Sequence, residues 1–91
     1  MEKVRRHFIF YGEVQGVGFR KRAFYGAKEN NVSGWVKNLS DGSVEMEAEG
    51  YPEDIDKAVL FVEKGVFVRI ENLRVKDIPL KNSKGFSIID N

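Results

Sequence analysis

Ninety-one residues leave room for one core, and an apolar content of 42%, with 12% aromatic, is enough to fill it without covalent staples. The absence of cysteine excludes disulfides, thiolate nucleophiles, iron–sulfur clusters and cysteine-held zinc, and gives no sign of an oxidising compartment. A net charge of +1 argues against whole-molecule attraction to nucleic acid, yet the charge is uneven: eight Lys/Arg face three Glu up to Lys37, whereas Asp41 to Glu63 holds eight acids and one Lys, so an anion is drawn to the first third.

The segment Arg5 to Tyr11 sets Phe8 and Phe10 against His7, Ile9 and Tyr11 in a two-residue alternation, which predicts a first strand. Gly12, Gly16 and Gly18 break that pattern within seven residues and mark an irregular turn. A helix follows from Phe19, with Phe19, Ala23 and Ala27 at i, i+4 and i+8 and Asn30-Asn31 suited to its left-handed end; Gly26 inside it makes it a weak one. Val32 to Val36 and Ser43 to Glu49 read as a hairpin around Ser40-Asp41-Gly42. Pro52, the acids Glu53, Asp54 and Asp56, the apolar Ile55, Ala58, Val59 and Val62, then Lys64-Gly65 describe a second helix with charges matched to its dipole. Phe67 to Val75 and Phe86 to Ile89 supply further strands.

The order β-α-β-β-α-β, with room for an extra strand at the end, predicts a ferredoxin-like α+β sandwich: a mainly antiparallel sheet with both helices on one face, as a single domain over 1–91. The other face is expected to stay in water, which accounts for the row Glu45, Glu47, Glu49. As a metal site that row fails, because carboxylates two residues apart along a strand are separated by about 7 Å. The longest aliphatic and aromatic run, Ala58 to Val62, falls far short of a membrane span of ~20 residues, and no apolar stretch follows the charged start, so the chain reads as soluble and intracellular.

The stretch Gly12-Glu13-Val14-Gln15-Gly16-Val17-Gly18-Phe19-Arg20 places three glycines between a strand and a helix and an arginine in the first helical turn. Unpaired backbone N–H groups converging there can cradle an anion, and a guanidinium fork adds paired charge-assisted hydrogen bonds; the plainer reading is a β-to-α turn with Arg20 in solvent. It is not a nucleotide P-loop, which needs Lys-Ser/Thr after its last glycine, nor a dinucleotide fingerprint. Gly34-Trp35-Val36-Lys37-Asn38 ends in a side chain that can hold a water with one group and a substrate oxygen with the other, or can simply enter the turn. The single histidine, His7, has no partners placed for a triad and reads as a strand-surface residue. Trp35 and Tyr11 lack the paired aromatic and basic setting of single-strand binders.

Through these two segments the sequence resembles the acylphosphatase family, whose signatures have the form G-x-V-Q-G-V-x-F-R and G-[FWY]-V-x-N. They stand here without mismatch as Gly12 to Arg20 and Gly34 to Asn38. The resemblance, which runs over nearly the whole chain, implies hydrolysis of acyl phosphates to a carboxylate and inorganic phosphate, and the chain is expected to be a free-standing cytoplasmic monomer. It implies no cofactor, no metal, no covalent intermediate and no nucleic-acid or membrane partner. By carry-over, Arg20 and the backbone amides of Gln15, Gly16, Val17, Gly18 and Phe19 bind the phosphoryl group, and Asn38 orients the attacking water. Lys21 and Arg22 stand where the family has apolar or aromatic residues, and Asn30 replaces a leucine, so the first helix is expected to be thinly apolar and Lys21 or Arg22 to attract anions at long range. The loop after the second helix, Gly65 to Arg69, departs from the family's Gly-Pro-rich turn. A non-catalytic module that binds an anion or phosphoryl ligand with the same cradle is the alternative reading.

Overall fold

The computed structural model describes residues 1–90. In chain order its elements are β1 (Val4–Glu13), α1 (Phe19–Glu29), β2 (Ser33–Asn38), β3 (Val44–Gly50), α2 (Pro52–Glu63), β4 (Arg69–Ile78) and β5 (Phe86–Ile89). The strands form one sheet in the order β4-β1-β3-β2-β5, antiparallel throughout except for the parallel pair β2 and β5. This is the ferredoxin-like arrangement expected from the pattern, with β5 as the extra strand. Among the described residues no helix is long and apolar enough to cross a membrane.

Alternation along the strands decides which face takes the helices. Phe8 and Phe10 of β1, Val36 of β2 and Val44, Met46 and Ala48 of β3 are buried against Phe19, Ala23 and Ala27 of α1 and Ile55, Ala58 and Val62 of α2. The Phe10 ring lies 4.9 Å from that of Phe19 and 5.4 Å from that of Phe8, centroid to centroid, which fixes the start of α1 on β1.

Gly26, a poor helix former, is buried where α1 meets α2; a Cβ at this position would stand 3.0 Å from the Ala58 carbonyl oxygen. The residue that weakens the helix in isolation lets the two helices approach. Asn30 donates from its side chain to Gly26 O at 2.8 Å, a cap that a leucine could not supply, and Asn31 takes the left-handed conformation at φ 55°. The Arg22 guanidinium donates to Phe61 O at 2.9 and 2.7 Å and lies 4.1 Å from the Phe61 ring, clamping α1 to the last turn of α2.

Two expectations need correction. The strand after α2 begins at Arg69 rather than Phe67, because Gly65 N–H bonds Val62 O and Val68 N–H bonds Gly65 O, closing a turn that leaves Val66 and Phe67 outside with 89% and 74% of their surface exposed. The row of glutamates is also not a solvated face. Glu47 and Glu49 are 8% and 5% exposed, and between them lies Arg5 at 2%. Arg5 Nε donates to Glu47 Oε1 at 2.8 Å and Nη1 to Glu49 Oε1 at 3.1 Å. The cause is topological. β4 and β5 occupy opposite edges of the sheet, so residues 79–85 must cross the helix-free face, and there Lys81 donates its backbone N–H to Glu49 Oε1 and its Nζ to Glu47 Oε1 while the Ser83 hydroxyl accepts from Arg5.

Burial alone would push the Glu47 carboxyl up, but hydrogen bonds and charge from Arg5 and Lys81 outweigh it and hold the group below the usual carboxylate range. Glu49 is likewise lowered: desolvation opposes it, and the Lys81 backbone N–H together with Arg5 overcomes that penalty. Glu45 remains nearer the surface, 2.7 Å from His7 Nε2. His7 is therefore a strand-face residue, as its sequence context suggested.

Candidate active site

β1, β2 and β5 run in the same direction and finish at the same end of the sheet, and there the connection from β1 to α1 folds over the end of β2. Gly16 and Gly18 sit at φ 72° and 82°, left-handed values that permit the sharp entry into α1, and Gly18 occupies the helix N-cap without a side-chain bond. The first helical hydrogen bond runs from Arg22 N–H to Gly18 O at 3.1 Å, so the amides ahead of it find no acceptor inside the helix. Those amides and the helix dipole make this corner electropositive.

The corner holds a cavity of about 330 Å³ whose wall includes Gly16, Gly18, Arg20, Lys21, Asn38 and Asp90. Arg20 is partly exposed, and its Nη1 lies 2.7 Å from Asp90 Oδ1. Asn38 is half-buried, and its Oδ1 is buried without a hydrogen-bond partner among the described residues. A buried acceptor without a donor costs about 1–3 kcal/mol, so this oxygen has hydrogen-bonding capacity that the fold leaves unused. Gly34 has its own reason to be glycine: a Cβ there would stand 1.9 Å from Glu47 O, inside the contact that seats β2 on β3.

Of the residues singled out from the sequence, Gly16, Gly18, Phe19, Arg20 and Asn38 are brought together around this cavity. The Phe19 ring points into the core, so what Phe19 offers the cavity is backbone, and Val17 packs on the core's edge outside the cavity wall. The Gln15 side chain turns towards the hairpin instead, donating to Leu39 O at 2.8 Å and to Ser43 O at 2.9 Å. Lys21, expected to act on anions only at a distance, lines the cavity itself.

Asp90 escaped sequence reasoning. It lies seventy positions from Arg20, and only the parallel pairing of β5 with β2 carries it to the cavity. Trp35 and Tyr11 lie outside the cavity wall. Among the described residues no group of three His, Asp or Glu side chains is gathered to hold a metal ion.

The arrangement of one guanidinium, a glycine-bounded helix start and an asparagine lining the same space agrees with three comparisons. The family model described as acylphosphatase matches residues 6–88. The chain is similar to an acylphosphatase of Thermococcus kodakarensis, 38% identical over 90 residues and covering 98% of this chain and 99% of that one, and to one of Roseiflexus sp., 42% identical over 91 residues with 98% of each covered. In three dimensions it superposes on a crystal structure of acylphosphatase from Bacillus subtilis with a TM-score of 0.88 at 35% identity, covering 96% of this chain and 99% of the other. Sequence signatures, fold and near-complete coverage agree, and the chain belongs to the acylphosphatase family.

Proposed function

We propose that this chain hydrolyses the carboxyl–phosphate bond of acyl phosphates by direct attack of water on phosphorus, with Arg20 and the amides of Gln15 to Phe19 holding the phosphoryl group and Asn38 orienting the water. The observation that carries this reading is the shared cavity: Arg20, the glycine-bounded helix start and Asn38 all line it, and Asn38 Oδ1 has no hydrogen-bond partner among the described residues. The alternative of a non-catalytic anion module gives way to the family membership.

The chemistry asks little of the protein beyond placement. Water's oxygen forms a bond to phosphorus as the bond from phosphorus to the acyl oxygen breaks. The carboxylate departs with the electron pair, and a phosphoryl oxygen takes the water's proton. Because the leaving carboxylate is a weak base, no strong general base is required, and catalysis reduces to positioning and to stabilising charge on the phosphoryl oxygens. Arg20 and the unpaired amides supply that positive potential in fixed orientation. Asn38 Oδ1, accepting a hydrogen from water, directs a lone pair of that water away from itself and towards the cavity. A cysteine-free chain working as a cytoplasmic monomer on a small acyl phosphate completes the proposal.

The test is hydrolysis of benzoyl phosphate in water enriched in oxygen-18, with a chelator present. The reading predicts chelator-resistant turnover with the label in inorganic phosphate. Label in benzoate, or loss of turnover on chelation, would contradict it.

A further inference from the structure

The cavity is assembled from two stretches distant in sequence. Residues 14–20 bring the loop and Arg20, and the end of β2 brings Asn38. Gln15 joins them. Its Nε2 donates to Leu39 O at 2.8 Å and to Ser43 O at 2.9 Å, and Leu39 is the residue directly after Asn38. Leu39 N–H is itself bonded to Ser43 O at 2.9 Å, so the amide grips the pair that closes the hairpin turn, while Asp41 holds the Ser43 N–H from within the turn. A carboxamide nitrogen has two hydrogens in one plane, and two carbonyls at this range use both, fixing the amide's orientation as well as its distance. Among the described residues no other side-chain hydrogen bond joins residues 14–18 to the hairpin.

We infer that the Gln15 side chain is a positioning residue that sets the register between the phosphate loop and Asn38. The inference rests on the reading of Asn38 as the residue that orients water. It separates two kinds of loss. The groups proposed to hold phosphate belong to the loop and the first turn of α1, so they keep their mutual arrangement without the Gln15 side chain. The separation between that loop and Asn38 is what becomes free, and a displacement near 1 Å in a positioned group costs on the order of a hundredfold in rate.

The experiment compares Gln15→Leu, Asn38→Ala and the double variant, reading kcat and the inhibition constant for inorganic phosphate with benzoyl phosphate as substrate. Gln15→Leu is expected to lose at least about tenfold in kcat with the phosphate constant changed by less than about threefold. Because the loss passes through Asn38, the double variant should be no slower than Asn38→Ala alone, within about threefold. Multiplying losses, an unchanged kcat in Gln15→Leu, or phosphate binding that weakens in step with kcat would each overturn the inference.

Gln15→Glu keeps the shape and provides a second reading should the leucine variant fold poorly. Its ionised form presents only acceptors to the two carbonyls, whereas the protonated acid regains one donor. Its kcat relative to wild type should therefore recover as the pH falls through the pKa of the new carboxyl, and a ratio independent of pH would contradict a hydrogen-bonding role. If Asn38→Ala keeps the wild-type kcat, the water-orienting reading fails by itself. The clamp is then decided by the Asn38 side-chain amide resonance: a shift or broadening in Gln15→Leu supports it, and an unmoved signal overturns it.

Discussion

Arg20 and Asp90 meet at 2.7 Å across the mouth of the cavity, a carboxylate lying against the guanidinium proposed to bind a phosphoryl group. Asp90 is 81% exposed and Arg20 34%, so the pair is screened by solvent and weak. An incoming phosphate shares or displaces this contact.

Asp90→Asn should accordingly tighten inhibition by inorganic phosphate. An exposed pair of this kind corresponds to about a two- to fivefold change at low ionic strength, fading near roughly 1 M salt, where the screening length is about 3 Å. Inhibition assays at two salt concentrations check it. Weaker inhibition in the variant would mean that Asp90 holds Arg20 in place more than it competes for it.

Arg5 lies between Glu47 and Glu49 on the face that residues 79–85 cross. Arg5→Leu leaves two buried carboxylates with Lys81 as their remaining cation, and breaking a buried ion pair from one side typically costs about 3–5 kcal/mol. Urea unfolding of the variant should show a loss of that order, and a loss below about 1 kcal/mol would be outside the range for a buried pair.

The same network sets an acid limit on stability. Glu47 and Glu49 have folded-state pKa values held below the usual carboxylate value, so the unfolded chain takes up protons first as the pH falls. Their contribution is fully present above the unfolded carboxylate pKa of about 4.3 and is lost as the pH drops from there through the lower folded values. Unfolding free energy should therefore fall with acidification in that window. The double variant Glu47→Gln with Glu49→Gln should show a shallower slope, and an identical slope would remove these groups from the account.

What the sequence made legible follows from local physics. Phe8 and Phe10 alternating with His7 and Ile9, and the i, i+4, i+8 spacing of Phe19, Ala23 and Ala27, each name a buried face without reference to the rest of the chain. The loop glycines, Arg20 and Asn38 carry recognisable signatures, and the structure brings them to one cavity. The remainder depends on long-range pairing. Glu47 and Glu49 read as solvated because their alternation with Val44, Met46 and Ala48 marks them only as the opposite face, and nothing in a β-strand pattern says that a later connection will cross that face. Asp90 became a neighbour of Arg20 through a parallel pairing that no nearby residue announces. Gly26 and Asn30, which looked like flaws in α1, are explained by the Ala58 carbonyl and by the Gly26 carbonyl respectively.

Arg20 and Asn38 have two different tasks in the proposed reaction, and steady-state kinetics of Arg20→Ala and Asn38→Ala separates them. Removing one oriented donor to a transition-state oxyanion typically costs about 3–4 kcal/mol of barrier, so Arg20→Ala should nearly abolish benzoyl phosphate turnover and also weaken inhibition by inorganic phosphate. Asn38→Ala should lower kcat while leaving the phosphate inhibition constant largely as in wild type. Wild-type kinetics in Arg20→Ala, or parallel loss of phosphate binding in both variants, would contradict the division of labour between a phosphate cradle and a water-orienting amide.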